Sequence, residues 1–140
     1  MAKRGREMLA RVPLFASLSP RQLRRLADLT EEQRYMEGAA IVREGDTGDT
    51  FYVIMSGGAK VVRGSGRVVN HLYPGDFFGE ISLLDGGPRT ASVVAETELT
   101  MLALPRSAFL RTIRDEPAVG IKLLQHAAAM LRRLERSASR

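Results

Sequence analysis

In PRQLRRLADL, residues 20–29, leucines fall at positions 23, 26 and 29 while polar side chains fill most of the gaps. That period predicts an amphipathic helix, with Ser19 as its N-cap and Pro20 at its first position. Upstream, Leu9, Val12, Leu14 and Phe15 predict a shorter helical piece, giving an N-terminal helical segment over residues 6–30. From about Gln33 to Leu104 the texture changes to short apolar runs: AAIVR, TFYVIM, AKVVR, VVNHL, TASVVA and LTMLAL. EGDTGD, SGG, GSG, YPGD and DGGP separate them, and closely spaced runs with such turns predict a sandwich or barrel-like β unit over residues 33–104. After Pro105 the helical period returns in RSAFLRTIRDEP and PAVGIKLLQHAAAMLRRLERSASR, whose last four residues are expected to fray. Ile121, Leu124, Ala128, Leu131 and Leu134 share near-helical spacing in the second stretch. Val53, Ile54, Val61, Val68, Val69, Leu83, Val93 and Leu102 are the expected core.

Composition and charge narrow the class. A chain of 140 residues suits one compact domain, expected over 1–140, and hydrophobic and charged fractions of 44% and 26% are ordinary for a globular chain. The absence of cysteine removes disulfides, thiol nucleophiles and thiolate metal sites. No apolar run approaches ~20 residues, and MAKRGREMLARVPLF lacks a signal-peptide core, so a cytoplasmic protein without a membrane segment is expected. The net charge of +5 is unevenly spread. Residues 1–25 carry seven basic and one acidic side chain, 26–105 six and twelve, and 106–140 eight and three. Basic ends of this kind read first as solvated helix faces, and no aromatic residues alternate with the terminal arginines to suggest base stacking.

Catalytic motifs are missing. His71 and His126 are the only histidines and form neither an HxH nor an HExxH pair, and there is no G-x-S-x-G elbow or Walker A loop. The informative chemistry is in FFGEISLLDGGPRTASVVA, residues 77–95, where a Glu and, nine positions later, an Arg interrupt an apolar run. Burying either charge alone is costly, so the pair is expected to face a ligand. Gly79 lets the backbone approach closely, and a short helix over Ile81–Leu84 turns its free N–H groups toward an anion. Arg89 offers a planar fork of donors suited to phosphate oxygens. Glu80, an acceptor when ionised, suits the hydroxyls of a sugar beside that phosphate. In the strand expected over 90–95, Thr90 and Ser92 face one side, and Ala91, Val93 and Ala95 the other.

These residues resemble a known family. FGEISLLDGGPRTASVVA is similar to the phosphate-binding cassette of the cyclic nucleotide-binding domain, the module of protein kinase regulatory subunits, nucleotide-gated channels and the catabolite activator protein family. VPLFASLSPRQLRRLA resembles its helical lead-in, EGDTGDTFYVIMSGGAKVV its second to fourth strands, and YPGDFFGE the approach to the cassette. The likeness runs from about Leu9 to Leu134.

The resemblance implies a mainly β fold with flanking helices: a β-jelly roll with N-terminal helices and a C-terminal lid helix. It implies a regulatory sensor rather than an enzyme, with cAMP or cGMP as ligand and no catalytic cofactor. Within a cassette at 78–92, Glu80 would accept the ribose 2′-hydroxyl and Arg89 would pair with the cyclic phosphate. Backbone N–H groups of Gly79, Ile81, Ser82 and Ala91 would complete the cradle, and Thr90 stands where some relatives contact guanine. Of the C-terminal helices, 105–136, the one from about Ala118 to Arg136 would be the lid, with Leu123, Leu124 or Ala127 over the base. Transcription factors of the family continue into a helix-turn-helix; only a few residues follow here, so no DNA-reading domain is expected. Dimerisation through the last helix, the effector and the choice between cAMP and cGMP stay open. Three rival readings stand beside this one. Arg89 and Glu80 can pair as an internal salt bridge in a domain that has lost its ligand. The basic terminal helices can dock a partner with no nucleotide involved. A cupin-like metal enzyme shares the jelly roll, although the scarcity of histidine counts against it.

Overall fold

The computed structural model describes residues 2–138. A first helix α1 (Ala2–Ala10) leads through a 3-10 turn at Pro13–Phe15 to α2 (Pro20–Asp28). Eight strands follow: β1 (Glu31–Tyr35), β2 (Ala40–Val42), β3 (Thr50–Ser56), β4 (Ala59–Arg63), β5 (Arg67–Leu72), β6 (Phe77–Phe78), β7 (Ser92–Ala95) and β8 (Leu99–Pro105). A short helix α3 (Glu80–Asp85) interrupts them, and α4 (Arg106–Asp115) and α5 (Pro117–Ala138) close the chain. The expected fraying of the last four residues is not observed at Ser137 and Ala138, which continue α5; residues 139–140 lie outside the described part.

The strands form two four-stranded antiparallel sheets in the orders β1-β8-β3-β6 and β2-β7-β4-β5. Most neighbours are distant in sequence, which is the connectivity of the expected jelly roll. The run FYVIM in β3 is buried throughout, and the reason is that β3 has a core on each face. Tyr52 and Ile54 point between the sheets with Leu99, Met101 and Ala103 of β8, Val93 and Ala95 of β7 and Phe78. Phe51, Val53 and Met55 point the other way, with Leu102 and Leu104, into a second core shared with the helices. There Phe51 packs against Phe15, Phe77 and Phe109, with ring centroids 6.2, 5.3 and 5.0 Å apart. Tilted and edge-on pairs of this kind add to simple area burial.

Ser19 caps α2 as expected: its Oγ accepts from Gln22 N at 3.2 Å, and Gln22 Oε1 accepts from Ser19 N at 2.8 Å. Leu26 is buried and Leu23 and Leu29 flank it against the helical core.

Two strands fall outside the expected runs, and two expectations need correction. β1, with the sequence EEQRY, has no apolar alternation; it is a strand because it pairs with β8 from Glu31 opposite Ala103 to Tyr35 opposite Leu99. β6 is two residues long and exists only as a ladder rung on β3. β7 begins at Ser92, so Thr90 and Ala91 belong to the loop before it. Val68 and Val69 are each 43% exposed, because β5 is an edge strand beyond the inter-sheet core. The α5 apolar stripe is likewise outside the core: Val119 and Leu123 are buried, while Ile121, Leu124, Leu131 and Leu134 are more than half exposed. The terminal arginines Arg4, Arg11, Arg21, Arg24, Arg25 and Arg132 are exposed, as read from the charge pattern.

Phe109 is fully buried where α4 meets β3 and the 3-10 turn. Phe109→Ala is expected to lower unfolding free energy in urea by about 3–5 kcal/mol, the range for emptying a buried aromatic site.

Candidate functional site

The site begins at Gly79, where β6 turns into α3. Its φ of 94° is left-handed, and a Cβ there would lie 2.6 Å from the Thr50 carbonyl oxygen. Only glycine allows both the turn and the close approach. The six-residue α3 starts with Glu80 and ends at Gly86, whose N–H donates to Ser82 O at 2.9 Å. Leu83 anchors the helix in the helical core, and Arg106 at the start of α4 donates from Nε to the Leu83 carbonyl at 3.2 Å. The cassette helix is thus tied to the C-terminal helices by one apolar and one polar contact.

Arg89 returns to the same place from the loop before β7. Its backbone is clasped by the β2–β3 loop: Arg89 N donates to Asp46 O, and Gly45 N to Arg89 O, each at 2.9 Å. The side chain is 7% exposed, and Nη2 donates to the Thr50 carbonyl at 3.0 Å. Nη1 is buried with no hydrogen-bond partner. A charged donor left this way is costly, which marks the position of a missing acceptor.

Glu80 is 8% exposed nearby. Burial pushes its carboxyl up to about 7, against the weaker opposing pull of its own backbone N–H and of Arg89. The two charges form no ion pair with one another, unlike Arg34 and Glu98 on the surface. The internal salt bridge weighed as a rival is therefore absent.

Both groups line a cleft of about 620 Å³ between the roll and α5. All seven residues singled out in the sequence, Gly79, Glu80, Ile81, Ser82, Arg89, Thr90 and Ala91, are on its wall. Val42, Val61, Val69, Leu72 and Val93 add apolar surface to a wall that also carries Arg63, Asn70, His71 and Asp76. A concave wall that combines apolar surface with buried charged groups suits a small anionic ligand with an apolar body. Among the described residues, no three His, Asp or Glu side chains gather where they could hold a metal ion.

The residues expected over the base need correction. Leu123 is 1% exposed within the helical core and Leu124 is 61% exposed on the outer side, and Ala127 does not line the cleft. The side chains that α5 contributes are His126, Met130 and Arg133. Their spacing of four and three residues puts them on one face of the helix, a signal the sequence contained. His126 packs on Phe77 with centroids 4.9 Å apart and planes 54° apart. Burial, helped by Arg133, holds its imidazole below the usual value and so favours the neutral form. The backbone partners of Arg89, by contrast, left no mark in residue types.

Residues 32–116 match the family model described as the cyclic nucleotide-binding domain. The chain belongs to this family. It is 44% identical over 108 residues to a cAMP-dependent protein kinase regulatory subunit of Colletotrichum orbiculare, covering 76% of this chain and 28% of that protein. Among solved structures, the catabolite activator protein of Thermus thermophilus is similar with a TM-score of 0.83 and 34% identity, over 91% of this chain and 62% of that one. The regulatory domain of Toxoplasma gondii PKA with cAMP gives a TM-score of 0.81 and 27% identity, over 92% of this chain and 50% of that one. The chain thus spans about a quarter of the length of the curated kinase subunit it matches. As in these regulatory relatives, the cyclic nucleotide-binding domain is a regulatory, non-catalytic module. Among the described residues, no helix is long and apolar enough to cross a membrane.

The raised Glu80 carboxyl has a consequence for the empty protein. A carboxyl held at about 7 in the folded state binds its proton more tightly there than in the unfolded chain, near 4.5. Its stabilising effect is complete below about pH 4.5 and is lost as pH rises through 7. Glu80→Gln removes that dependence. Relative to the parent, the ligand-free variant is expected to gain stability between pH 5 and pH 8 by up to about 3 kcal/mol, read from thermal melts across that range.

Proposed function

We propose that this domain is a cyclic nucleotide sensor that binds cAMP or cGMP in the cleft and responds through α5. The observation that carries the reading is the buried Arg89 guanidinium with an open Nη1, beside a buried carboxyl, on the wall of a cleft that also offers apolar surface. A cyclic phosphate supplies the acceptor that Nη1 lacks, and the adjoining ribose supplies hydroxyl donors to Glu80. Gly79, Ile81, Ser82 and Ala91 would add backbone N–H groups around the phosphate, and the valines of the wall would pack on the purine. The similar kinase subunit and the Toxoplasma structure are named for cAMP, so cAMP is the first ligand to test. Thr90, exposed on the cleft wall, keeps cGMP as the second.

The response follows from where α5 lies. His126, Met130 and Arg133 share the cleft with the ligand, and Val119 and Leu123 are fixed in the helical core. A nucleotide that touches the first group shifts the population of α5 positions toward those that close over it. No reaction is involved. The effector would be a kinase-like or other partner protein contacted by the helices, in the cytoplasm.

Calorimetry with cAMP and cGMP tests the ligand. Binding is expected, and Arg89→Leu should weaken it by roughly tenfold to over a hundredfold, as fits loss of a charge-assisted contact of about 1.5–3 kcal/mol. If neither nucleotide raises the melting temperature, a nucleotide-free docking module is the better reading.

The exposed stripe on α5 favours a homodimer as well. Ile121, Leu124, Leu131 and Leu134 are 57–61% exposed, and with Ala128 they recur at steps of three and four residues. Such a seam suits a second copy of the same helix. Sedimentation is expected to show a dimer that Leu124→Glu together with Leu131→Glu converts to monomer; identical sedimentation of both proteins would exclude this interface.

A further inference from the structure

The loop between β2 and β3, residues 43–49, carries two glycines for different reasons. Gly45 has φ of 87°, and a Cβ added to it would meet nothing within 4 Å, so its need for glycine is a matter of backbone conformation. Gly48 is the reverse. It is not among the glycines with positive φ, so other residues can adopt its backbone conformation. Yet a Cβ at 48 would lie 2.8 Å from both Nε and Nη2 of Arg89 and 3.1 Å from Cζ. Separations under 3.0 Å are not tolerated by real side chains, so the guanidinium occupies the space that a side chain at 48 would fill.

A long side chain usually escapes such a contact by swinging its end away. Arg89 has little freedom to do so. Nη2 is hydrogen-bonded to Thr50 O at 3.0 Å, and Nη1 lies 2.9 Å from where a Cβ on Gly79 would be. The Arg89 backbone is held by Asp46 O and Gly45 N, each at 2.9 Å, so neither end of the residue is loose. Displacement from Gly48 therefore breaks the bond to Thr50 or drives Nη1 away from the start of α3.

We propose that Gly48 is a positioning residue for nucleotide binding: its bare Cα is the seat of the Arg89 guanidinium, and a side chain there moves the guanidinium off the phosphate position. The proposal rests on the reading of Arg89 as the phosphate ligand. Gly48 touches no ligand; it acts only through Arg89.

The test is a double-mutant cycle read by cAMP calorimetry on the parent chain, Gly48→Ala, Arg89→Ala and the double variant. Gly58→Ala is the control, since Gly58 is also free of positive φ and a Cβ there meets only Leu72 O at 3.7 Å. Gly48→Ala should weaken binding about tenfold or more, the scale of a lost charge-assisted contact, while Gly58→Ala stays within about twofold. In the Arg89→Ala background Gly48→Ala should change nothing further. The Arg89 Nε–Hε resonance of the ligand-free protein should also move in Gly48→Ala and stay in place in Gly58→Ala. Parental affinity in Gly48→Ala, or an equal loss in both backgrounds, overturns the proposal. Parental affinity in Arg89→Ala overturns the phosphate reading instead, and the Nε–Hε resonance then decides the positioning claim by itself. If Gly48→Ala does not fold, the double variant decides: recovery of the fold on removing the guanidinium supports the clash, and continued failure refutes it.

Discussion

A guanidinium in the protein interior with one donor unmet is the constraint around which this domain is arranged. A buried cation is tolerable only where dipoles and acceptors surround it, and here nearly all of that surrounding is backbone. Thr50 at the start of β3 supplies a carbonyl to the side chain, and Asp46 and Gly45 in the loop before it hold the main chain. The glycines at 48 and 79 supply bare Cα atoms on which the planar group can rest. Residues 45–50 and Gly79 therefore meet at Arg89. An anion entering the cleft completes a shell that is already built, so little ordering remains to oppose its binding.

Glu80 complements this arrangement through its environment rather than through a direct bond to Arg89. Two opposite charges in low dielectric would ordinarily pair, and a paired Arg89 would offer nothing to a phosphate. In this domain the carboxyl lies at the head of α3 and is kept partly protonated by burial near neutral pH. The carboxylate charge left without a partner is thereby reduced, and both groups remain available to a ligand carrying an anion and hydroxyls together.

The double-sided burial of β3 and β8 explains how a cleft on the roll can concern the helices. Alternate residues of the same strands belong to the inter-sheet core and to the helical core. Leu83 carries α3 into the helical core, and Arg106 joins α3 to α4. α5 then divides its surface three ways: Val119 and Leu123 inward, His126, Met130 and Arg133 on the cleft, and four large apolar residues toward solvent. The helix thus borders the helical core, the cleft and solvent at once.

The sequence by itself determined the helix–roll–helix order, because periods of 3.6 and 2 and glycine-marked turns are local properties. It also drew attention to Glu80 and Arg89, which the structure brings to one cleft wall, since a Glu and an Arg in an apolar stretch have few other uses. Strands such as EEQRY and the two-residue FF were not legible, as their conformation comes from partners on β8 and β3 rather than from their own side chains. Nor was the partial exposure of Val68 and Val69, or the choice of His126, Met130 and Arg133 over Leu123 and Leu124 as the cleft face of α5. Those outcomes depend on which sheet edge is left open and how α5 is rotated about its axis. Only tertiary structure decided, too, that the two charges stay apart and that Gly48 touches Arg89, because both are distances between atoms brought together by chain folding.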